Sequence, residues 1–449
     1  MTTSRKPRLV VLTDIGGDPD DQQSLIRLLT YANEFTIEGI IPELWSGNEH
    51  ARRGIDAESQ MQLVREIISA YGEVQANLAR HAAGYPDAGY LNSCLKRGMV
   101  NVPTSLEGDP GPAEKVIGEG KDTEGSDWII AVVDREDPRP VNVAVWGGPA
   151  DLAQALWRVR RDRSQAELER FLAKIRVHTI GDQDATGPWI RRHFPALFYI
   201  LNMSRSGKKL SSCYRGMYLG GDETLTSAEW VKENIAQEHG PLGRLYPLQT
   251  WTAPNPHGCL KEGDTPSWFY FLENGLNVPG RPDWGGWGGR FTKNGSFFQD
   301  ALDTEAGETS HRATVFRWRA AFQNDFAARM DWCVKPATVA NHPPLAALVG
   351  APPTRAPHFI AAHPGETLTL DASASTDPDG DSLCFSWWMY QEAGTYTGPV
   401  ELHEADTPVC RLPVPEDAGG HQLHIILEVQ DDGEPPLTTY RRVVVEISA

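Results

Sequence analysis

The chain has 449 residues, too many for one ordinary hydrophobic core, so its length alone calls for two or more domains. Its 42 basic residues against 60 acidic ones leave a net charge of −18, which argues against a nucleic-acid polymer as partner, because backbone binding needs a Lys/Arg surface to displace counterions. With 40% hydrophobic and 23% charged residues the composition is that of a soluble globular protein, and no stretch approaches the ~18–20 apolar residues of a membrane span.

Residues 1–8 are polar and lead straight into a short apolar run, 9–12, too brief for the core of a signal peptide. The expectation is a cytoplasmic protein, or a secreted or periplasmic one if a leader was removed. The strand candidate 8–13 (RLVVLT) is followed by a helix over 20–32, a second strand over 35–42 (FTIEGIIP) and a helix over 57–69. Strands over 141–146 (VNVAVW) and 176–180 (RVHTI) then alternate with helices over 149–160 and 164–173. Continuous Val/Ile/Leu runs between helices describe a mostly parallel sheet covered on both faces, an α/β architecture that binds ligands beyond the C-terminal ends of its strands.

Residues 204–303 are rich in Gly, Trp and Pro and poor in periodicity, as in long functional loops. Helical spacing returns over 311–334, with Val315, Trp318, Phe322, Phe326 and Met330 on one face. A Pro-containing linker at 336–355 then separates a first domain, 1–335, from a second, 356–449. In the second domain, 367–370, 383–388, 423–429 and 440–447 alternate like strands of an all-β immunoglobulin-like sandwich. Trp387 and Trp388 must point to opposite faces of their strand, so one belongs to the core. Asp377-Pro378-Asp379-Gly380 reads first as a turn. Six cysteines contain no CxxC pair, so reduced thiols are expected and a zinc knuckle is not; Cys384 and Cys410 are the pair an oxidising compartment could join.

The most informative segment is Asp14-Ile15-Gly16-Gly17-Asp18-Pro19-Asp20-Asp21, at the end of the first strand. Carboxylate oxygens at this density are what a hard cation prefers, and without one they repel each other. Asp18-Pro19-Asp20-Asp21 also reads as a helix N-cap, a proline at the first helical position and two acids facing the helix dipole. That capping reading does not reach Asp14, which lies on the strand side of two glycines. Metal binding is the reading for Asp14 and Asp21.

TDIGGDPDDQQSL, GDQDATGPWIRR and GDTPSWFYFLENGL…WGGWGGR together resemble the nucleoside-hydrolase-like domain family with a C-terminal immunoglobulin-like sandwich, which includes a so-called cellulose-binding protein. The resemblance spans essentially the whole chain. It implies Ca²⁺ held by Asp14, Asp21, the main-chain oxygen of Gly147 and Asp264, with Asp14 as the base that activates water and Asp20 gripping sugar hydroxyls. The first loop is two residues longer than the family spacing, which leaves Asp14 and Asp18 both open as the metal-bound base. Where related hydrolases place a histidine that protonates the leaving base, this chain has Gly263; the acid must then come from Glu262, His257 or elsewhere, unless none is needed.

Asp182, Asp184 and Trp189 follow the strand 176–180 and form a candidate sugar-recognition surface, the acids accepting hydroxyl hydrogen bonds and the indole stacking on a ring. Trp284 and Trp287, flanked by glycines, are candidate platforms for a glycan or a base. The expected activity is calcium-dependent hydrolysis of a glycosidic bond, in an N-riboside or an O-glycoside. The alternative is a non-catalytic carbohydrate-binding protein on a hydrolase-like fold. The expected partner is a small sugar-containing substrate or glycan rather than a membrane, and assembly into a homo-oligomer is left open.

Overall fold

The computed structural model describes residues 6–46, 50, 53–105, 108–250 and 255–449. Strand β1 (Arg8–Thr13) is buried at every position and its alternate side chains feed two different cores. Leu9 and Val11 pack with Leu25 and Ile26 of helix α1 (Asp20–Thr30), with Val64 and Tyr71 of α2 (Ala57–His81), and with Phe322 and Phe326. Val10 and Leu12 face the opposite side, against Leu152 and Leu156 of α3 (Ala150–Asp162). A period of two in the strand thus places one helical layer on each face, which is why the run is apolar throughout.

β2 (Thr36–Pro42), β3 (Val141–Val145), β4 (Ile175–Thr179), β5 (Phe198–Leu201), β6 (Phe291–Asn294) and β7 (Phe297–Asp300) complete a seven-stranded sheet in the order β2-β1-β3-β4-β5-β7-β6. Every pair is parallel except the closing hairpin β6–β7. β2 and β3 leave on opposite sides of β1, so the loops after β1 and β3 diverge and open a crevice at that edge. Asp14 follows β1, and Gly147 and Gly148 follow β3.

Several elements depart from the expected ones. α2 runs on to His81 because Tyr71, Val74 and Leu78 continue its buried stripe. The segment expected as one helix over 311–334 is two, Ala313–Phe316 and α4 (Arg319–Trp332), yet all five residues of the expected face are buried in one core. The aperiodic stretch 204–303 contributes β6 and β7, which the composition did not reveal. Among the described residues no helix is long and apolar enough to cross a membrane, and all six cysteines are free thiols.

The C-terminal strands are β8 (His358–Ala362), β9 (Thr367–Asp371), β10 (Leu383–Met389), β11 (Val409–Pro413), β12 (Gln422–Asp431) and β13 (Thr438–Ile447). They form a four-stranded sheet, β8-β13-β12-β10, and a two-stranded one, β9-β11. Pairing is antiparallel except between β8 and β13. Trp387 enters the core of this unit, while Trp388 points the other way, 5.7 Å from Trp318 of the N-terminal unit. Strand alternation thus gives each indole a different core.

The two units share packing. Tyr390, Ile426 and Tyr440 lie in the same apolar cluster as Trp268, Trp287 and Phe322, so the core crosses the segment expected as a linker. That segment is itself anchored: Trp332 Nε1 donates to the Asn341 carbonyl at 2.8 Å, and Asn341 Nδ2 donates to Asp431 Oδ1 at 2.9 Å. Asp303 is the polar centre of the junction. Its carboxylate accepts from Arg290 Nε at 2.6 Å, Arg317 Nη1 at 2.9 Å and the Tyr390 hydroxyl at 2.5 Å.

Trp284 and Trp287 are corrected here. Only 2% and 3% of their surfaces are exposed, so neither is a platform for a glycan. Trp284 packs 4.6 Å from the His424 ring, and Trp287 meets Tyr440 edge-on. Their flanking glycines serve close approach rather than loop freedom. Gly285 has φ +74°, and a Cβ there would lie 2.4 Å from the Tyr390 hydroxyl oxygen. Arg442 Nη2 donates to the Gly285 carbonyl at 2.9 Å.

Removing the carboxylate of Asp303 leaves the buried Arg290 guanidinium without its counter-charge and Arg317 with only the longer contacts to Glu305 and Glu392, at 3.3 and 3.8 Å. Asp303→Ala is expected to cost about 3–5 kcal/mol, read as a lower denaturation midpoint of the full chain in a single transition covering both units. A second transition at the original midpoint would show that the junction does not couple them.

Candidate metal centre and its cavity

Asp14 leaves β1, Asp20 and Asp21 open α1, and Asp264 opens the short helix Thr265–Phe269. The fold brings them together at the C-terminal edge of the sheet. One carboxylate oxygen from each of Asp20, Asp21 and Asp264 lies within 4.8 Å of the others. Asp14 joins them: burial, and then the charges of Asp264 and Asp20, push its carboxyl well above the ordinary range. Burial does the same to Asp21, reinforced by Asp14 and Asp20, and to Asp264, reinforced by Asp21 and Asp20. Gly147 lies against Asp14, where a Cβ would come within 2.7–2.8 Å of the carboxyl group. Only glycine leaves that carboxylate its place.

The donor set fits a hard divalent cation. Asp264 Oδ2 is buried and meets no hydrogen-bond donor among the described residues. Mutual repulsion of this kind is relieved by positive charge, and all-oxygen donors suit Ca²⁺ or Mg²⁺ rather than a thiophilic metal.

Two clamps hold the distant partner in register. On α1, Gln23 Nε2 donates to the Cys259 carbonyl at 2.9 Å and Lys261 N donates to Gln23 Oε1 at 2.9 Å. One turn on, Arg27 forms an ion pair with Glu262 at 2.5 Å, neither side chain having any exposure. The Tyr246 hydroxyl donates to the other Glu262 oxygen at 2.5 Å. Glu262 is therefore spent on structure and cannot be the leaving-group acid. His257 is exposed and outside the cavity wall.

Lys261 was not singled out by the sequence, where nothing distinguishes it from a surface lysine. Its ammonium is buried between Asp18 and Asp20, 2.9 Å from Asp20 Oδ2. This corrects the expected cap: α1 begins with Pro19 at the cap position and has no side-chain cap. A full charge within reach holds the Asp18 carboxylate more strongly than a backbone N–H would. The same ammonium opposes the rise that burial imposes on the Asp20 carboxyl.

These groups line a cavity of about 410 Å³, within the range of small-molecule sites. Trp45 and Trp146 give it an apolar wall, and Asp182, Gln183, Tyr214 and Arg215 complete the rim. Of the expected sugar-recognition residues, only Asp182 joins Asp20 there, held by Arg191 through two contacts of 2.7 Å. Asp184 is turned away: its Oδ1 accepts from Thr186 N and Oγ1 at 2.7 Å, and burial pushes its carboxyl up to about 6. Trp189 lies in the core against His193 and Phe194, with its indole nitrogen 3.2 Å from Glu114. Its helix, Thr186–His193, buries that face, so the indole cannot stack on a sugar in the cavity.

Comparison with known proteins adds the following. Residues 8–291 match the family described as cellulose-binding Sde182, nucleoside hydrolase-like domain, and residues 367–447 match the C-terminal domain of cellulose-binding protein Sde0182. No curated protein matches the chain. Among solved structures, a nucleoside hydrolase-related hypothetical protein from Saccharophagus degradans, described as associated with carbohydrate metabolism, is 36% identical over 99% of this chain and 100% of its own, with a TM-score of 0.79. A PKD domain from KIAA 1837 protein matches 21% of this chain and 84% of its own at 20% identity, with a TM-score of 0.16. Both the fold, a mostly parallel sheet with a C-terminal β-sheet unit, and the family matches agree on one conclusion: the chain belongs to the cellulose-binding Sde182, nucleoside hydrolase-like family.

Proposed function

We propose that the protein hydrolyses a glycosidic bond in a small sugar-containing substrate, with Ca²⁺ held by Asp14, Asp21 and Asp264 and by the main chain at Gly147. The observation that carries this reading is the convergence of carboxylates from three chain segments on one cavity, with a buried Asp264 oxygen that no donor among the described residues satisfies. When bound, the cation supplies the positive charge that keeps the carboxylates ionised and makes a nearby water more acidic. Asp14 would take the proton of the attacking water; the Gly147 backbone closes against its carboxyl group, which supports a fixed direction for it. Asp20, oriented by Lys261, and Asp182, oriented by Arg191, are acceptors for sugar hydroxyls. Trp45, at the cavity wall, offers an apolar edge to the carbon face of a sugar ring. Water attacking from the carboxylate side alone would invert the anomeric centre.

A second reading, binding of carbohydrate without turnover, has one observation in its favour. Lys261 neutralises Asp18 and Asp20, which lowers the number of free acids at the site. Turnover separates the two readings. A panel of nitrophenyl glycosides and nucleosides, assayed with Ca²⁺ and with EDTA, is expected to show sugar release that EDTA abolishes. Retention of a glycan with no release under either condition would favour binding alone.

Two variants test the cation site. Asp21→Ala is expected to lower turnover by about 100-fold or more, in line with the loss of a first ligand when outer partners alone cost 10–100-fold; equal rates would remove the metal mechanism. Gly147→Ala should leave a folded protein, since the added methyl meets one carboxylate and costs about 1–3 kcal/mol. It is expected to lose the rise in melting temperature that Ca²⁺ gives the wild type, because Asp14 must move. An unchanged Ca²⁺ response would take Asp14 out of the ligand set.

A further inference from the structure

Gly263 carries no side chain, and the structure places another group in the space one would take. A Cβ at Gly263 would lie 3.1 Å from Cδ2 and 3.3 Å from Cε2 of Tyr214. The phenol ring thus occupies the ground beside the Asp264 backbone that a larger residue at 263 would need. Tyr214 lines the cavity together with Asp20, Lys261 and Asp264. Its position is fixed from behind. Its backbone N–H donates to Asn202 Oδ1 at 3.2 Å, the neighbouring Cys213 N–H donates to Asp300 Oδ2 at 2.9 Å, and the Arg215 guanidinium sits 4.9 Å from the ring centre. The hydroxyl, by contrast, has no hydrogen-bond partner among the described residues. A phenol held by its ring and left unpaired at its oxygen is a donor waiting for an acceptor in the cavity.

We propose that Tyr214 donates the proton to the departing oxygen of an O-glycoside, a role that rests on the hydrolytic reading above. As the bond between the anomeric carbon and the leaving oxygen breaks, its electron pair goes to that oxygen, which takes the phenolic proton. Water forms the new bond to the anomeric carbon and gives its proton to Asp14; solvent exchange then returns a proton to the phenolate and removes one from Asp14. The sum is one glycoside and one water giving one free sugar and one alcohol. Burial holds the phenol well above its ordinary range, against the pull of Arg215. An alkoxide, unlike a 4-nitrophenolate, needs a proton as it departs, and the Tyr214 phenol is a neutral donor lining the cavity.

The test compares leaving groups on one sugar. The substrates are the 4-nitrophenyl glycoside cleaved fastest in the panel above and the methyl glycoside of the same sugar, both with Ca²⁺. Tyr214→Phe keeps the ring against Gly263 and removes only the hydroxyl. It is expected to lose about 100-fold or more in kcat on the methyl glycoside, with KM little changed, while staying within about threefold of wild type on the nitrophenyl glycoside, whose leaving group needs no proton. Gly263→Ala, which presses on the ring without touching the hydroxyl, is expected to show the same selective loss to a smaller degree. An equal loss on both substrates would make Tyr214 a packing residue, and no loss on either would end the assignment. A wild type that releases sugar from neither substrate would remove the hydrolytic reading, and this proposal with it.

Discussion

A guanidinium and a carboxylate with no access to water hold this site together. Arg27, about two turns into α1, meets Glu262 at 2.5 Å, and its other nitrogens reach Gln323 Oε1 at 2.5 Å and the Phe322 carbonyl at 3.1 Å. Its charge also lies 4.0 Å from the centre of the Phe326 ring. Burying two ions is costly, and the attraction between them offsets that cost only when further hydrogen bonds complete the geometry, as the Tyr246 hydroxyl does for Glu262. Breaking such a pair costs about 3–5 kcal/mol. What the pair gives in return is position. It ties α1, which carries Asp20 and Asp21, to the segment that carries Lys261 and Asp264, and so sets the spacing of the charges in the cavity.

Around that anchor the electrostatics are arranged in two halves. Asp14, Asp21 and Asp264 repel one another in a buried pocket, where Lys261 only eases the charge on Asp264, whereas Asp18 and Asp20 are paired with that ammonium directly. In the proposed reading the first group holds the cation, while the neighbouring one keeps a fixed charge and direction for hydroxyl groups. The C-terminal unit packs against the N-terminal one through a separate set of contacts. Its Tyr390 and Arg442 hold Asp303 and the Gly285 carbonyl, and the glycines between Trp284 and Arg290 let the two units approach. The tryptophans of that loop join the two cores and do not face a ligand.

The sequence by itself determined the layers and one half of the site. The run Arg8–Thr13 could only be a strand buried on both faces, and Asp14 and Asp21 follow from it, because a loop of eight residues keeps carboxylates close whatever the rest of the chain does. Gly147 was suggested by the family resemblance alone, and the structure sets it against Asp14. The fold class came from the same local patterns. Tertiary structure decided the remainder. Lys261 and Tyr214 carry no local signal: a lysine in a loop and a tyrosine in an aperiodic stretch read alike whether they face solvent or a cavity. Trp189, Trp284 and Trp287 show the converse, because an indole suits a sugar face and a protein core equally well. Which of the two it meets depends on residues far away in the chain, brought there by the packing of His424, Tyr440 and the helix Thr186–His193. Chemistry written within one turn or one loop is set by covalent proximity, and chemistry that needs a distant partner exists only once the core has closed.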